Sequence, residues 1–174
     1  PISVLGFGHI GREIARIMRA LGSHVIGVSR NGAPDAGADE MVPFSKLDDV
    51  LKRADSIMIS LPLDEQTRHL FNARTFALCK KNAVLVNIAR GGIIDQMALT
   101  EALKNGQIAG AGLDALDPEP LTSTHPLWDA PNLYISPHCA GGAGNVTTNR
   151  IADNAAENLK LYMAGKPLKN TVKL

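Results

Sequence analysis

Cysteine is scarce in this chain, and long apolar runs and a marked net charge are missing from it. The two cysteines among its 174 residues, Cys79 and Cys139, stand in dissimilar contexts without the spacing of metal ligands. We therefore expect no metal site and two free thiols in a reducing cytosol, with a disulfide as the alternative. No apolar run approaches the roughly 20 residues that a membrane helix needs. A net charge of +1 gives no electrostatic reason to expect nucleic acid or an anionic membrane as partner.

The ends of the chain carry a further expectation. It starts at Pro1 without a methionine, shows no signal-peptide pattern, and reaches its first apolar strand almost at once. By length it is one domain, large enough to bury most of its unfolded surface. This start indicates a fragment, an excised domain or a processed product of a cytoplasmic protein.

Short apolar runs alternate with helical patterns along the chain, which is typical of βαβ units and a parallel sheet. The predicted strands are 2–5, 24–28, 40–42, 56–61, 83–88, 108–113 and 133–135. The predicted helices are 9–21, 46–53, 72–79, 95–104 and 145–163. The first helix carries its apolar residues on one face: Ile10, Ile14, Ile17, Met18 and Leu21. The pattern predicts one doubly wound α/β domain.

A glycine motif lies between the first strand and the first helix. Residues 4–11 contain Gly6, Gly8 and Gly11 in the spacing G-x-G-x-x-G, with His9 and Ile10 at the variable positions. Gly6 permits a tight turn, Gly8 lets the backbone approach a pyrophosphate, and Gly11 lets the helix pack close to the strand. The helix N-terminus then faces the phosphate charge. This context predicts a Rossmann dinucleotide-binding domain.

The end of the second strand indicates which cofactor is bound. An NAD-binding domain usually has an Asp or Glu there, which accepts hydrogen bonds from the ribose hydroxyls and repels a 2′-phosphate. Here Ser29 and Arg30 occupy that position. A hydroxyl donor beside a permanently charged guanidinium suits a phosphate dianion, so we expect a preference for NADP(H). If Arg30 is only a solvated cation, NAD(H) binds as well.

Three polar segments follow later strands: residues 87–92 (NIARGG), 114–120 (DALDPEP) and 136–142 (SPHCAGG). Together, in this order and spacing, they resemble the D-isomer-specific 2-hydroxyacid dehydrogenase family. The resemblance runs from Gly6 to the segment 164–168 (AGKPL), essentially end to end.

The resemblance implies roles for four residues. Arg90 corresponds to the arginine that clamps the carboxylate of a 2-oxo acid and polarises its keto group. His138 corresponds to the general acid for the carbonyl oxygen, and Glu119 to the carboxylate that orients this histidine and favours its imidazolium form. Asp114 corresponds to a residue near the nicotinamide. Taken singly, each residue has a plainer interpretation: Arg90 as a surface cation, His138 as a buried imidazole, Glu119 as part of a solvent loop and Asp114 as a turn former.

The resemblance implies further cofactor contacts around the glycine turn and at the nicotinamide end. Besides the residues of the glycine motif, Ser29 and Arg30, they are Leu61, Pro62, Thr67, Ala89, Arg90, Asp114, His138, Ala140 and Gly141.

The resemblance also implies a division of the chain and an activity. Residues 1–167 are the dinucleotide-binding domain, and 168–174 begin a return toward a substrate domain whose N-terminal part is absent. The chain alone is then expected to be inactive, and the intact protein to be an enzyme and a homodimer. The expected reaction is hydride transfer between NAD(P)H and a small 2-oxo acid, such as glyoxylate or hydroxypyruvate. The alternatives are a nicotinamide-sensing module like the related transcriptional corepressors, and an NAD-dependent phosphoglycerate dehydrogenase.

Overall fold

The chain comprises two compact units in the computed structural model, Pro1–His138 and Cys139–Leu174. The structure describes residues 1–142 and 144–171, without the side chains of residues 144–147. The predicted domain boundary at residue 167 remains a prediction.

The first unit is built on a parallel sheet of seven strands. The strands are β1 (Ile2–Leu5), β2 (Val25–Ser29), β3 (Glu40–Pro43), β4 (Ser56–Ile59), β5 (Val84–Asn87), β6 (Gly110–Leu113) and β7 (Leu133–Ile135). Its helices are α1 (His9–Ala20), α2 (Leu47–Arg53), α3 (Ala73–Phe76) and α4 (Gln96–Lys104). The strand order is β3-β2-β1-β4-β5-β6-β7, and every pair is parallel. This topology reverses direction at β1 and β4 and confirms the doubly wound prediction.

Two short polar residues, Asn72 and Asp95, cap the N-termini of α3 and α4. The Asp95 carboxylate accepts from the amides of Met97 and Ala98 and caps α4. Asn72 and Thr75 form a reciprocal capping box at α3. The prediction of a helix over 72–79 is too long. After Phe76 the amides of residues 78 and 79 bond three residues back, so the chain tightens into a turn.

The two faces of the sheet bury separate apolar clusters. On one face, Ala15 of α1 packs with Val4, Phe7 and Val25. On the other, the larger cluster joins strand residues such as Leu5 and Ile59 to the inward residues of α2, α3 and α4. It includes Leu47, Val50 and Leu51 of α2. Helices on both faces are what a parallel sheet requires.

Only part of the apolar stripe of α1 packs against the core, where Ile14 and Met18 are partly buried beside Ala15. The buried residues of α1 are Gly11 and Ala15, whereas Ile10 and Ile17 are exposed and Leu21 is 74% exposed. Small residues are buried because α1 lies close to the sheet, as the near contact between Gly11 and the Gly6 carbonyl shows.

The second unit contains one long helix, α5 (Gly144–Met163). Its C-terminus is closed by Gly165, at φ +63°, whose amide donates to the carbonyl of Tyr162, while the Lys166 amide donates to that of Leu161. The large apolar side chains of Ile151, Leu159 and Tyr162 on this helix are exposed. Residues 172–174 of the predicted return lie outside the described residues. No helix in the described part of the chain is long and apolar enough to cross a membrane.

Candidate active site

The turn between β1 and α1 contains three glycines, of which Gly6 and Gly11 are closely packed and Gly8 is not. A Cβ at Gly6, which has φ +93°, would lie 2.7 Å from the Ser60 carbonyl oxygen, and one at Gly11 would lie 2.0 Å from the Gly6 oxygen. A Cβ at Gly8 would meet nothing within 4 Å. The first amides of α1 have no intrahelical acceptor, and no acidic side chain stands in its first turn. The turn therefore has the shape and polarity that fit a phosphate group.

A cavity of about 530 Å³ lies between this turn and the end of β2. Ser29 and Arg30 line it, together with Phe44 and Ser45 from the segment after β3. The Ser29 hydroxyl oxygen accepts from the Gly32 amide at 3.1 Å, which leaves its own hydrogen available to a ligand. Arg30 is exposed, and no carboxylate among the described residues forms a salt bridge with it. Both side chains are thus available to an anion.

The segment after β4 forms the opposite wall of this cavity, where Leu61, Pro62 and Thr67 lie. Thr67 is buried and its hydroxyl is already engaged, donating to the Pro62 carbonyl at 2.7 Å and accepting from the Asp64 amide at 2.8 Å. The Thr67 hydroxyl and amide lower the pKa of the Asp64 carboxyl, with a smaller contribution from the charge of Arg30. The Thr67 side chain therefore stabilises this wall through its hydrogen bonds to Pro62 and Asp64.

A second cavity, of about 560 Å³, continues from the first toward the end of β5. Ser60, Leu61 and Pro62 line both cavities, and the second adds Ile10, Ala89 and Arg90. The two cavities form a trough along the carboxyl ends of the strands, where open α/β sheets bind ligands. His9, the first residue of α1, is exposed.

The buried side-chain amide of Asn87 holds the loop that carries Arg90. The Asn87 side chain is fully buried, donates to the Arg90 carbonyl at 2.9 Å and accepts from the Ala89 amide at 3.0 Å. The Arg90 guanidinium is exposed and donates to the Ala89 carbonyl at 2.8 Å. Asn87 is a site residue that strand and motif reasoning did not single out, although it stands in the quoted segment 87–92.

Glu119 and His138 form a pair although they are 19 residues apart. The His138 Nδ1 lies 3.0 Å from Glu119 Oε1 and 2.9 Å from Oε2, and both side chains are about 40% exposed. His138 has φ +51°, in the left-handed region that non-glycine residues seldom adopt. Contact at Nδ1 leaves Nε2 to face a substrate, the arrangement of a histidine oriented by a carboxylate.

Asp114 is buried, and its carboxylate accepts from the Ser136 hydroxyl at 2.6 Å. Its amide donates to the Asn87 carbonyl at 2.9 Å, so the ends of β5, β6 and β7 are tied together. Ser136 is a second supporting residue outside the predicted set.

The remaining predicted contacts lie elsewhere in the chain. Ala140 and Gly141 belong to the second unit. No cluster of metal-ligating side chains occurs in the described ranges.

The chain is similar in sequence to known proteins over almost all of its length. The model of the NAD-binding domain of D-isomer specific 2-hydroxyacid dehydrogenases matches residues 1–140. A glyoxylate reductase of Aeropyrum pernix is 40% identical over 171 residues, which are 98% of this chain and 51% of that protein. A D-3-phosphoglycerate dehydrogenase of Mycobacterium leprae is 34% identical over 95% of this chain and 31% of its own length.

A solved structure is similar to the chain as well. It is an NADPH-dependent glyoxylate/hydroxypyruvate reductase of Sinorhizobium meliloti in complex with NADP and sulfate. It superposes with a TM-score of 0.89 at 32% identity, over 99% of this chain and 55% of that one. The chain thus spans about half the length of most relatives it matches.

Proposed function

The chain belongs to the D-isomer specific 2-hydroxyacid dehydrogenase family, and we propose that it is the coenzyme domain of an NADP(H)-preferring 2-oxo acid reductase. One arrangement carries this proposal. A single trough leads from the open glycine turn to Arg90, and the Glu119–His138 pair stands at the end of the neighbouring strands.

The side chains at this edge of the sheet supply the groups that the reduction of a keto acid needs. Arg90 offers a planar, permanently charged guanidinium that binds the substrate carboxylate and polarises the keto oxygen. His138 delivers a proton from Nε2 to that oxygen and takes it back in the reverse reaction. Glu119 holds the imidazole at Nδ1 and so directs Nε2 toward the keto oxygen. The nicotinamide, when bound, supplies the hydride.

The preference for NADP(H) is supported by the end of β2. Residues 28–31 at the end of β2 contain no acidic side chain, and Ser29 and Arg30 both have donors free to face a 2′-phosphate. Asp64 lines the opposite side of the same cavity. The solved S. meliloti relative holds NADP in the corresponding fold.

Titration of this chain with NADPH and NADH tests the cofactor assignment. We expect tighter binding of NADPH, followed by calorimetry or nicotinamide fluorescence. Equal binding, or tighter NADH binding, would contradict the assignment and favour the chemistry of an NAD-dependent phosphoglycerate dehydrogenase.

Activity is tested in a chimera in which this chain replaces the 171 matched residues of the A. pernix glyoxylate reductase. We expect turnover of glyoxylate or hydroxypyruvate with NADPH, and none from the chain alone. A folded chimera that binds NADPH without turnover would favour a nicotinamide-sensing module instead.

The wider organisation is part of the same proposal. Residues 1–167 would form the coenzyme domain and 168–174 would begin the return to a substrate domain, in a cytoplasmic homodimer. Light scattering on the intact protein tests the dimer.

A further inference from the structure

The loop that carries Glu119 is attached to the fold by very few hydrogen bonds. Pro118 and Pro120 have no amide hydrogen to donate. In the described part of the chain, only two hydrogen bonds reach the backbone of residues 115–121, and both join Asp117 to Gln96. Apolar packing of Leu116 and Leu121 holds the two ends of this loop, but the hydrogen bonds to its backbone come from one side chain outside it.

Gln96 is the first residue of α4 and is 7% exposed. Its Nε2 donates to the Asp117 carbonyl at 2.5 Å, and its Oε1 accepts from the Asp117 amide at 3.1 Å. The two bonds fix the Asp117 backbone on both sides of its Cα. The ion pair between Arg68 and the Asp117 carboxylate, at 3.6 Å, is exposed at both partners and holds the loop only weakly.

The loop of residues 115–121 packs directly against the loop that carries Arg90. A Cβ at Gly91 would lie 2.0 Å from the carbonyl carbon of Leu116, and one at Gly92 would lie 3.0 Å from Asp117 Oδ2. The backbones beside Arg90 and before Glu119 are therefore in direct contact. A shift at Asp117 would move Glu119 relative to both Arg90 and His138.

We propose that Gln96 is a positioning residue for the reaction: its amide fixes the loop at Asp117 and so sets Glu119 against His138. This inference rests on the proposed function for its chemical meaning. Pro118 has a fixed φ, which removes one of the backbone torsions between the Asp117 peptide and Glu119. A glutamine suits the task because it offers both a donor and an acceptor, whereas glutamate offers only acceptors and methionine offers neither.

The test compares variants of this chain by NMR of the imidazole proton on His138 Nδ1, which a bond to a carboxylate shifts downfield. Gln96→Met removes both hydrogen bonds at similar volume. Glu119→Gln removes the carboxylate charge and gives the reference spectrum of a histidine without a carboxylate partner. Thr100→Val is the matched control, because it deletes a buried hydroxyl that donates to the Gln96 carbonyl within the same helix at 2.8 Å.

We expect the downfield resonance in the parent chain and in Thr100→Val, and its loss in Gln96→Met as in Glu119→Gln. If Gln96→Met does not fold, Gln96→Glu retains the acceptor, loses the donor and is expected to lose the resonance. A resonance that persists in the folded Gln96 variant would overturn the proposal, as would its equal loss in Thr100→Val.

Parallel NADPH titrations separate this inference from the proposed function. If the parent chain does not bind NADPH, the cofactor proposal fails, while the resonance still reports whether Gln96 holds the pair. If NADPH binds equally to the parent and Gln96→Met, any loss of the resonance belongs to the loop and not to the cofactor trough.

Discussion

Arg30→Ala is the perturbation that bears most directly on the cofactor. Arg30 lines the cavity at the end of β2 and forms no salt bridge with a described carboxylate, so its removal leaves no buried charge behind. A hydrogen bond to a charged group contributes roughly 1.5–3 kcal/mol, and solvent exposure of the guanidinium moves the expected value toward about 1–2 kcal/mol. That corresponds to NADPH binding weakened by about 5- to 30-fold. NADH, which has no 2′-phosphate, is expected to bind as before.

Calorimetric titration of both cofactors into parent and variant measures this difference. Lys81→Ala is the control, since it removes one exposed positive charge just before β5, at the amino end of that strand. The NADPH effect is expected to shrink as salt is raised, because an exposed charge pair is screened. Equal loss of NADH and NADPH affinity in Arg30→Ala, or equal loss of NADPH affinity in Lys81→Ala, would refute the assignment of Arg30 to the phosphate.

Three further outcomes are expected. Gly91→Ala places a methyl group against the Leu116 carbonyl and is expected to lower the free energy of unfolding by about 1–3 kcal/mol in urea; Gly112→Ala, whose Cβ would meet nothing nearer than 3.8 Å, is the control. Burial raises the pKa of the Cys79 thiol to about 11, so its reaction with a disulfide reagent, in a chain without the other cysteine, is expected to stay slow at pH 8 and to quicken only toward pH 11. A rapid reaction at pH 8 in folded protein would contradict this. His138→Ala in the chimera is expected to abolish turnover with NADPH affinity unchanged, and full activity would remove the assigned acid.

The sheet and its ligand edge could be predicted from sequence because their signals are local. The glycine motif stands between β1 and α1, and the polar segments begin where β5, β6 and β7 end, as the alternation of strands and helices predicts. Parallel strands bring those ends to one edge, so the trough follows from the order of the elements. The Glu119–His138 contact was expected only through the family resemblance, since no spacing rule joins residues 19 apart.

The supporting residues could not be predicted in the same way. Gln96 and Asp117 are 21 residues apart, and Asp114 and Ser136 are 22 apart. Each pair joins two separate βα connections, and a polar residue at the start of a helix or the end of a strand has many solvated alternatives. The close approach of the loops at Gly91 places Asp117 beside Gln96, whereas Asp114 and Ser136 follow Leu113 and Ile135, which pair in neighbouring strands.

A row of residues on the sheet and the apolar residues of α1 both show why periodicity alone misjudges burial. One row of residues crosses the sheet on the α1 face, through Val4, Met58, Val86, Gly112 and Tyr134. Within the first unit, Val4 beneath α1 is fully buried, whereas Tyr134 at the far edge is 81% exposed. All five residues point to the same face of paired strands. Their different exposure therefore depends on which helix lies above each strand. Periodicity reports which side of an element is apolar, whereas burial depends on the distance to the neighbouring layer. That distance is set at α1 by Gly11 and Ala15; Ile10 and Ile17 remain at the surface, whereas Ile14 and Met18 are partly buried.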